Sequence, residues 1–341
     1  MRPGLFHGAG TVCSIAPNFR RTPHAGTVIR MKHIFGPVNS RRLGLSLGID
    51  LLPPKICNFN CIYCEIGPTT EFTCDRKEYV PTREIIAEID RFLADPEALR
   101  RLDVCTITAS GEPTLHTGIG AIIRHLKDRT TKPVAVLTNG SLFHDPTVRR
   151  DLLAADIVIP SLDAALEASY RKINRPANCA PLALVIEGLI RFRKEFAGQY
   201  WLEILLAKGI NDRPEDLTAL RETVARIQPT KVQLNTVARP PLESFALPLS
   251  QPELTAAASH FTVPVEILVD FTTREREKFQ PADASAILAM LRRRPCTAAD
   301  VAEALNLETA PATAALEQLV THGQLIKTVH HHKEYYQPKK A

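Results

Sequence analysis

The strongest chemical signal in the chain is three cysteines in one short run. Cys57, Cys61 and Cys64 stand in CNFNCIYCE, with three and then two residues between them. Cysteine thiolates hold iron–sulfur clusters, normally four to a cubane. A loop that supplies three leaves one iron with an open position for a substrate or cofactor. Tyr63, an aromatic residue directly before the third cysteine, belongs to the same pattern. The competing reading is a structural zinc site completed by Cys74 or a histidine, because zinc also takes tetrahedral thiolates. Such sites usually come as two pairs of closely spaced ligands, and this chain has no second pair.

These residues need elements to hold them, and the order of apolar and polar runs indicates which. β-Rich runs are expected at 45–51, 104–108, 134–137, 157–159, 202–207, 232–235 and 265–269. Several are nearly continuous apolar stretches, as suits strands covered on both faces of a parallel sheet. Helical patterns lie between them. The first has Ile85, Ile86, Ile89, Phe92 and Leu93 at helical spacing after the start signal Pro81-Thr82, and others are expected at 115–127, 148–154, 182–196, 215–227 and 253–260. Repeated strand–helix units imply right-handed parallel crossovers, hence a barrel or an open doubly wound sheet.

The placement of polar residues separates those two architectures. The cysteine loop follows the first strand. Ser110-Gly111-Glu112-Pro113, Thr138-Asn139-Gly140, Ser161-Leu162-Asp163, Lys208–Asp212 and Asn235–Pro240 follow the next five. Barrels build their sites at these carboxyl ends, whereas a Rossmann sheet concentrates function at one switch point. No G-x-G-x-x-G follows the first strand. The expected fold is α/β, a partial (β/α)6-type barrel over residues 31–275.

Past residue 282 the pattern changes. Helices are expected at 283–294 with Asp283 as N-cap, at 298–305 capped by Thr297, and at 309–322 stopped by Gly323. A hairpin at 324–329 and 334–337 follows. Three helices and a hairpin suggest a small winged-helix-like domain over 283–338. Its third helix has no Lys or Arg, which speaks against sequence-specific DNA reading. RNA contact by shape and a protein–protein role stay open. The run His330–His332 reads as a wing tip rather than a metal site, since adjacent strand residues point to opposite faces.

Composition sets the frame. The chain has 341 residues, 45% hydrophobic and 23% charged, with a formal charge of +5 that permits an anionic partner without demanding one. No apolar run is long enough to span a bilayer. The eight cysteines are not spaced as a secreted disulfide framework, and Cys105 and Cys179 read as core residues. An oxygen-sensitive cluster needs a reducing compartment, so a cytoplasmic location is expected. Residues 1–49 contain no Asp or Glu but include Arg2, Arg20, Arg21 and Arg30. Residues 1–30 read as a disordered extension ahead of Met31, which would be the natural start.

The segment FGPVNSRRLGLSLGIDLLPPKICNFNCIYCE, followed by SGEP, TNG, SLDA, YRKINRP and VQLNTVARPP, resembles the radical S-adenosylmethionine (SAM) superfamily over residues 33–270. Within it the branch is the iron–sulfur oxidoreductases related to the tRNA wyosine synthetases. The resemblance implies a 4Fe–4S cluster on Cys57, Cys61 and Cys64, and reductive cleavage of SAM to methionine and a 5′-deoxyadenosyl radical that abstracts hydrogen from a substrate. It implies a one-electron reductant such as flavodoxin or ferredoxin. It assigns Ser110, Gly111, Glu112 and Pro113 to the SAM amino group, with Glu112 as the carboxylate facing that cation. Asn139, Ser161 and Asp163 become candidates for SAM ribose or carboxylate contacts, and Asn235 for adenine or substrate. The backbone N–H groups of 58–60, 62 and 63 would face the cluster sulfides. Wyosine synthetases hold a second cluster on cysteines upstream, where this chain has only Cys13.

For the substrate, Arg41, Arg42, Arg175 and Arg239 are candidates for an anion pocket, with solvated loop charge as the alternative. Lys172 and Lys208 are candidate Schiff-base lysines, with an ordinary surface role favoured. An RNA or tRNA substrate fits the wyosine resemblance. The competing class is a non-catalytic iron–sulfur or zinc protein that binds nucleic acid or regulates.

Overall fold

A computed structural model describes residues 31–40, 42–268, 284–305, 307–330 and 333–339. The extension expected at 1–30, Arg41, Val269, Asp283, His331, His332 and Lys340 lie outside the described residues. The first described elements are β1 (Ile34–Ser40) and, antiparallel to it, β2 (Gly44–Asp50). Two short pieces, β3 (Ile56–Cys57) and β4 (Glu71–Phe72), pair in parallel and bracket the cysteine loop. Helices and strands then alternate. They are α1 (Thr82–Leu93), α2 (Pro96–Arg101), β5 (Val104–Thr108), α3 (Ile119–Arg129), β6 (Val134–Thr138), α4 (Pro146–Leu152) and β7 (Ile157–Pro160). The series continues with α5 (Glu167–Asn174), α6 (Leu182–Glu195), β8 (Gln199–Leu206), α7 (Pro214–Ile227), β9 (Lys231–Thr236), α8 (Gln251–Ala258) and β10 (Val265–Ile267).

The main sheet runs β1-β2-β5-β6-β7-β8-β9-β10, and every neighbour pair after β1·β2 is parallel. This is the expected α/β barrel sheet, with an antiparallel strand added at one edge. The inner strands β5, β6, β7 and β9 bury nearly all their residues because helices cover one face and the lumen fills the other. On the helix side the apolar stripe repeats at three and four residues, as in Ile119, Ile122, Ile123 and Leu126 of α3.

Three local features differ from expectation. β1 was not foreseen, because Gly36-Pro37 interrupts its alternation and the register shifts between Phe35 and Val38. It holds its place by laying Phe35 over Gly48, where a Cβ would come 2.0 Å from the ring. α2 and α5 were missed as short, polar stretches. The helix expected at 115–127 is present but starts later, as α3, after a single 3-10 turn at Pro113–Leu115.

The C-terminal residues form α9 (Ala284–Leu291), α10 (Ala298–Ala304), α11 (Thr309–Thr321) and the antiparallel hairpin β11 (Leu325–His330) and β12 (Lys333–Pro338). Thr297 caps α10 through a reciprocal capping box with Asp300. Ile287, Leu291, Val301, Leu316, Leu325 and Tyr336 make a separate apolar core, against which Val38 of β1 packs. Asn39 Nδ2 donates to Glu303 O at 2.5 Å and Tyr335 OH to Ala238 O at 2.9 Å, tying these elements to the barrel. Among the described residues no helix is long and apolar enough to cross a membrane.

Candidate active site

The cysteine loop is held by backbone hydrogen bonds from three sides. Thr73 N donates to Cys57 O at 3.2 Å and Ala177 N to Asn58 O at 2.8 Å. Asn60 N and Ile62 N donate to Asn174 O and Ile173 O at 3.0 and 2.9 Å, satisfying carbonyls at the end of α5 that a helix leaves unpaired. The amides of Asn60 and Ile62 therefore secure the loop to α5 rather than face a cluster. From the third side Glu112 N donates to Ile56 O at 3.0 Å. Gly111 permits that approach: a Cβ there would lie 1.7 Å from the Ile56 carbonyl oxygen.

Each of the three thiols has an N–H donor beside it. Phe59 N lies 3.4 Å and Asn139 Nδ2 3.9 Å from Cys57 Sγ, Asn174 Nδ2 3.5 Å from Cys61 Sγ, and Lys55 Nζ 2.8 Å from Cys64 Sγ. Burial, reinforced by Glu112, pushes the free Cys57 thiol up to about 12. Burial, reinforced by Asp163, pushes Cys61 up as well. Such thiols ionise only for a metal cation, which deprotonates its ligands outright. Three unbonded cysteines, each facing a donor, fit an iron–sulfur cluster. Of the two fourth ligands considered for zinc, Cys74 or a histidine, Cys74 is occupied, since it is disulfide-bonded to Cys179 with Cα atoms 6.0 Å apart. Cys179 is thus disulfide-bonded and packs only partly buried against the core in which it was expected, whereas Cys105 is fully buried as expected.

The expected site residues divide into a wall and a scaffold. Ser110, Tyr63 and Asn235 line the central cavity together with Cys64. Ser110 donates through N and Oγ to the Asp50 carboxylate at 2.9 and 2.6 Å. Asn235 donates to Glu203 at 3.1 Å. The remainder stand behind that wall. Glu112 is 1% exposed and its carboxylate accepts from Thr114 N and Oγ1, Thr138 Oγ1 and Asn139 N at 2.6–3.0 Å. It straps the Ser110–Pro113 turn to the turn after β6, and burial raises its pKa against those hydrogen bonds. Pro113 begins the buried turn that follows. Asn139 bonds Asn58 and Ser141 beside Cys57. Asp163 accepts from Tyr63 OH and Asn174 Nδ2, both at 2.6 Å, and from Leu205 N. Burial lifts its pKa to about 6, and burial with the Asp163 charge raises the Tyr63 phenol. Ser161 bridges to Glu203 through its backbone and is absent from the cavity wall.

The cavity encloses about 400 Å³ inside the barrel. Alternate residues of the strands reach it, among them Ser46, Gly48 and Asp50 of β2 and Thr106 and Thr108 of β5, as the two-residue strand period requires. Met290 of α9, with Arg293 and Arg294 just beyond, closes one side. The anion pocket expected from four arginines is therefore redrawn. Arg42 is spent on a bidentate pair with Glu203 at 2.7 and 3.1 Å. Arg175 pairs with Glu243 and lines a different depression. Arg239 stays in the central cavity, 7% exposed, 3.3 Å from Glu65 and 3.5 Å from Asp300. Arg293 joins it, stacked 3.9 Å over the Phe35 ring and 3.6 Å from Asp50. The Nε of Arg239 and the Nε of Arg293 are buried and make no hydrogen bond. Lys172 and Lys208 are exposed, Lys208 in an ion pair with Glu253, so neither is a site lysine. Lys55, Asp50, Glu203 and Asn174 were not singled out from the sequence, although the runs that carry the resemblance contain Asp50, Lys55 and Asn174.

The sequence model of the radical SAM superfamily matches residues 51–220. A UPF0026 protein of Helicobacter pylori (strain J99) is 34% identical over 296 residues, covering 86% of this chain and 93% of that protein. The chain belongs to the UPF0026 family within the radical SAM superfamily. A UPF0026 protein of Methanocaldococcus jannaschii is 30% identical over 309 residues, covering 89% of this chain and 94% of its own length. A protein of Brachyspira hyodysenteriae called GTPase Obg is 35% identical over 300 residues; the chain spans only 44% of that protein's length. Among solved structures, TYW1 with a lysine–pyruvate adduct bound aligns with TM-score 0.48 at 20% identity, covering 66% of this chain and 74% of the other. Radical SAM family enzymes use a 4Fe–4S cluster and SAM, and generally draw on an external electron donor. Here Cys57, Cys61 and Cys64 are the cysteines in the radical SAM pattern.

Proposed function

We propose that this UPF0026 chain is a radical SAM enzyme acting on a substrate that carries an anionic group. The cavity carries the reading, because one continuous wall joins Cys64 and Tyr63 to the guanidinium side chains of Arg239 and Arg293. A carboxylate or phosphate entering the cavity would accept from Arg239 and Arg293 in charge-assisted bonds. A nucleotide of an RNA or tRNA substrate supplies such a group, as does a small organic acid.

Cys57, Cys61 and Cys64 would hold the cluster, with Ser110, Asn235 and Tyr63 facing SAM across the cavity. When bound, the cluster would supply the one electron for reductive cleavage of SAM to methionine and a 5′-deoxyadenosyl radical. Gly111, Glu112, Pro113, Asn139, Ser161 and Asp163 keep the turns that form the rim in register. The electron would come from a small one-electron carrier such as flavodoxin or ferredoxin. We read 31–275 as the radical SAM domain and 283–338 as a winged-helix-like domain that walls the cavity, since α11 carries no Lys or Arg for base reading.

The test is anaerobic reconstitution with iron and sulfide, then addition of dithionite and SAM. The expected result is 5′-deoxyadenosine and methionine in the wild type and neither in Cys57→Ala. A colourless, zinc-loaded protein would refute the reading.

A further inference from the structure

We propose that Lys55 tunes the reduction potential of the cluster by fixing a positive charge against the ligand Cys64. The inference rests on the cluster assignment above. Lys55 is 4% exposed, a rare state for a lysine without a carboxylate partner. Among the described residues its ammonium enters no ion pair with Asp or Glu. Its Nζ instead lies 2.8 Å from Cys64 Sγ and 2.8 Å from Gly67 O. The side chain starts from a pinned backbone: Lys55 N donates to Thr70 Oγ1 at 2.8 Å, and Thr70 N, Thr70 Oγ1 and Glu71 N all donate to Lys55 O at 2.9–3.2 Å. The ammonium is thus placed by the fold and is not a mobile surface charge.

The three ligands are treated unequally. Cys57 and Cys61 face neutral amides at 3.4–3.9 Å, while Cys64 faces a cation at 2.8 Å. Cluster potentials respond to net charge, to hydrogen bonds on sulfur and to solvent exposure, and Lys55 acts through the first two. A reduced cluster carries one more negative charge than an oxidised one, so a buried ammonium stabilises the reduced form more. In a site shielded from water that preference is weakly screened. Hydrogen bonds to charged partners are also roughly twice as strong as neutral ones. Lys55 is a positioning residue here, acting through Cys64.

The experiment compares wild type with K55M, K55Q and K55R after anaerobic reconstitution. Iron and sulfide content are measured first, and the midpoint potential is then found by optical and electron paramagnetic resonance titration. At a given potential the reduced-to-oxidised ratio is expected to fall about tenfold in K55M and K55Q, a shift of roughly 59 mV to lower potential for one electron. K55R, which keeps the charge, should stay near wild type. Unchanged midpoints in the neutral variants overturn the proposal. Loss of iron from all three variants also overturns it, since Lys55 then serves only to close the loop onto Gly67. A wild type that takes up no iron overturns the cluster reading itself, and iron analysis reports that before any titration.

Discussion

Gly111→Ala is the sharpest perturbation this architecture allows. The added Cβ would stand 1.7 Å from Ile56 O, 2.6 Å from Ile56 C and 3.0 Å from Ile56 N. All three atoms are backbone, so no side chain can swing aside. Ordinary contact begins near 3.4 Å, and the two segments must part by more than an ångström at the residue next to Cys57. That separation breaks the 3.0 Å bond from Glu112 N to Ile56 O, worth about 0.5–1.5 kcal/mol. Forced overpacking adds about 1–3 kcal/mol. The sum, roughly 2–4 kcal/mol, corresponds to a melting temperature lowered by several degrees in a domain of this size. The assay has two arms, thermal unfolding of the metal-free chain and iron bound per chain after anaerobic reconstitution. Both should fall. A variant that melts within a degree of wild type and binds iron normally would refute the claim that this glycine sets the cysteine loop.

Two further outcomes follow from groups near the same loop. Burial holds Asp163 near 6 in the folded chain against 3.8 as its unperturbed value. A carboxyl raised in this way keeps a proton that the unfolded chain has lost, so stability falls as pH rises from about 4 to about 6 and levels off above. The loss is on the order of 3 kcal/mol, and urea midpoints of the metal-free chain should show a flatter pH profile in Asp163→Asn; an identical slope in both proteins would contradict the assignment. The Cys74–Cys179 bond closes a loop with a sequence separation of 105, for which chain entropy predicts about 4–5 kcal/mol. Cys179→Ser should therefore melt lower than wild type in oxidising buffer and equally with it in dithiothreitol, and equal melting in both buffers would show that the bond does not form in solution.

The parallel strands were legible in the sequence because both faces of each are covered, so apolar runs such as Val134–Thr138 stand out against polar ends. The three-cysteine loop was legible because its ligands are close in sequence. What escaped was convergence over distance. Asn174 reaches Cys61 across a separation of 113 residues, and the pairing of Cys74 with Cys179 cannot be deduced from spacing alone. Glu112 had the right type and the right turn, yet its carboxylate is absorbed by Thr114, Thr138 and Asn139, which only the packing of β6 beside β5 reveals. The anion pocket failed in the same way: charge identifies arginines, and only the fold says that Arg42 already has Glu203.

The wall formed by Met290, Arg293 and Arg294 has a consequence for biosynthesis. The cysteine loop leaves the ribosome before the barrel strands that follow it, and this wall only after them. Domains fold as units while synthesis proceeds, so the nascent barrel would present its thiols at the bottom of an open cup. Delivery of iron and sulfide would then meet no barrier from α9, which closes one side of the cavity only afterwards.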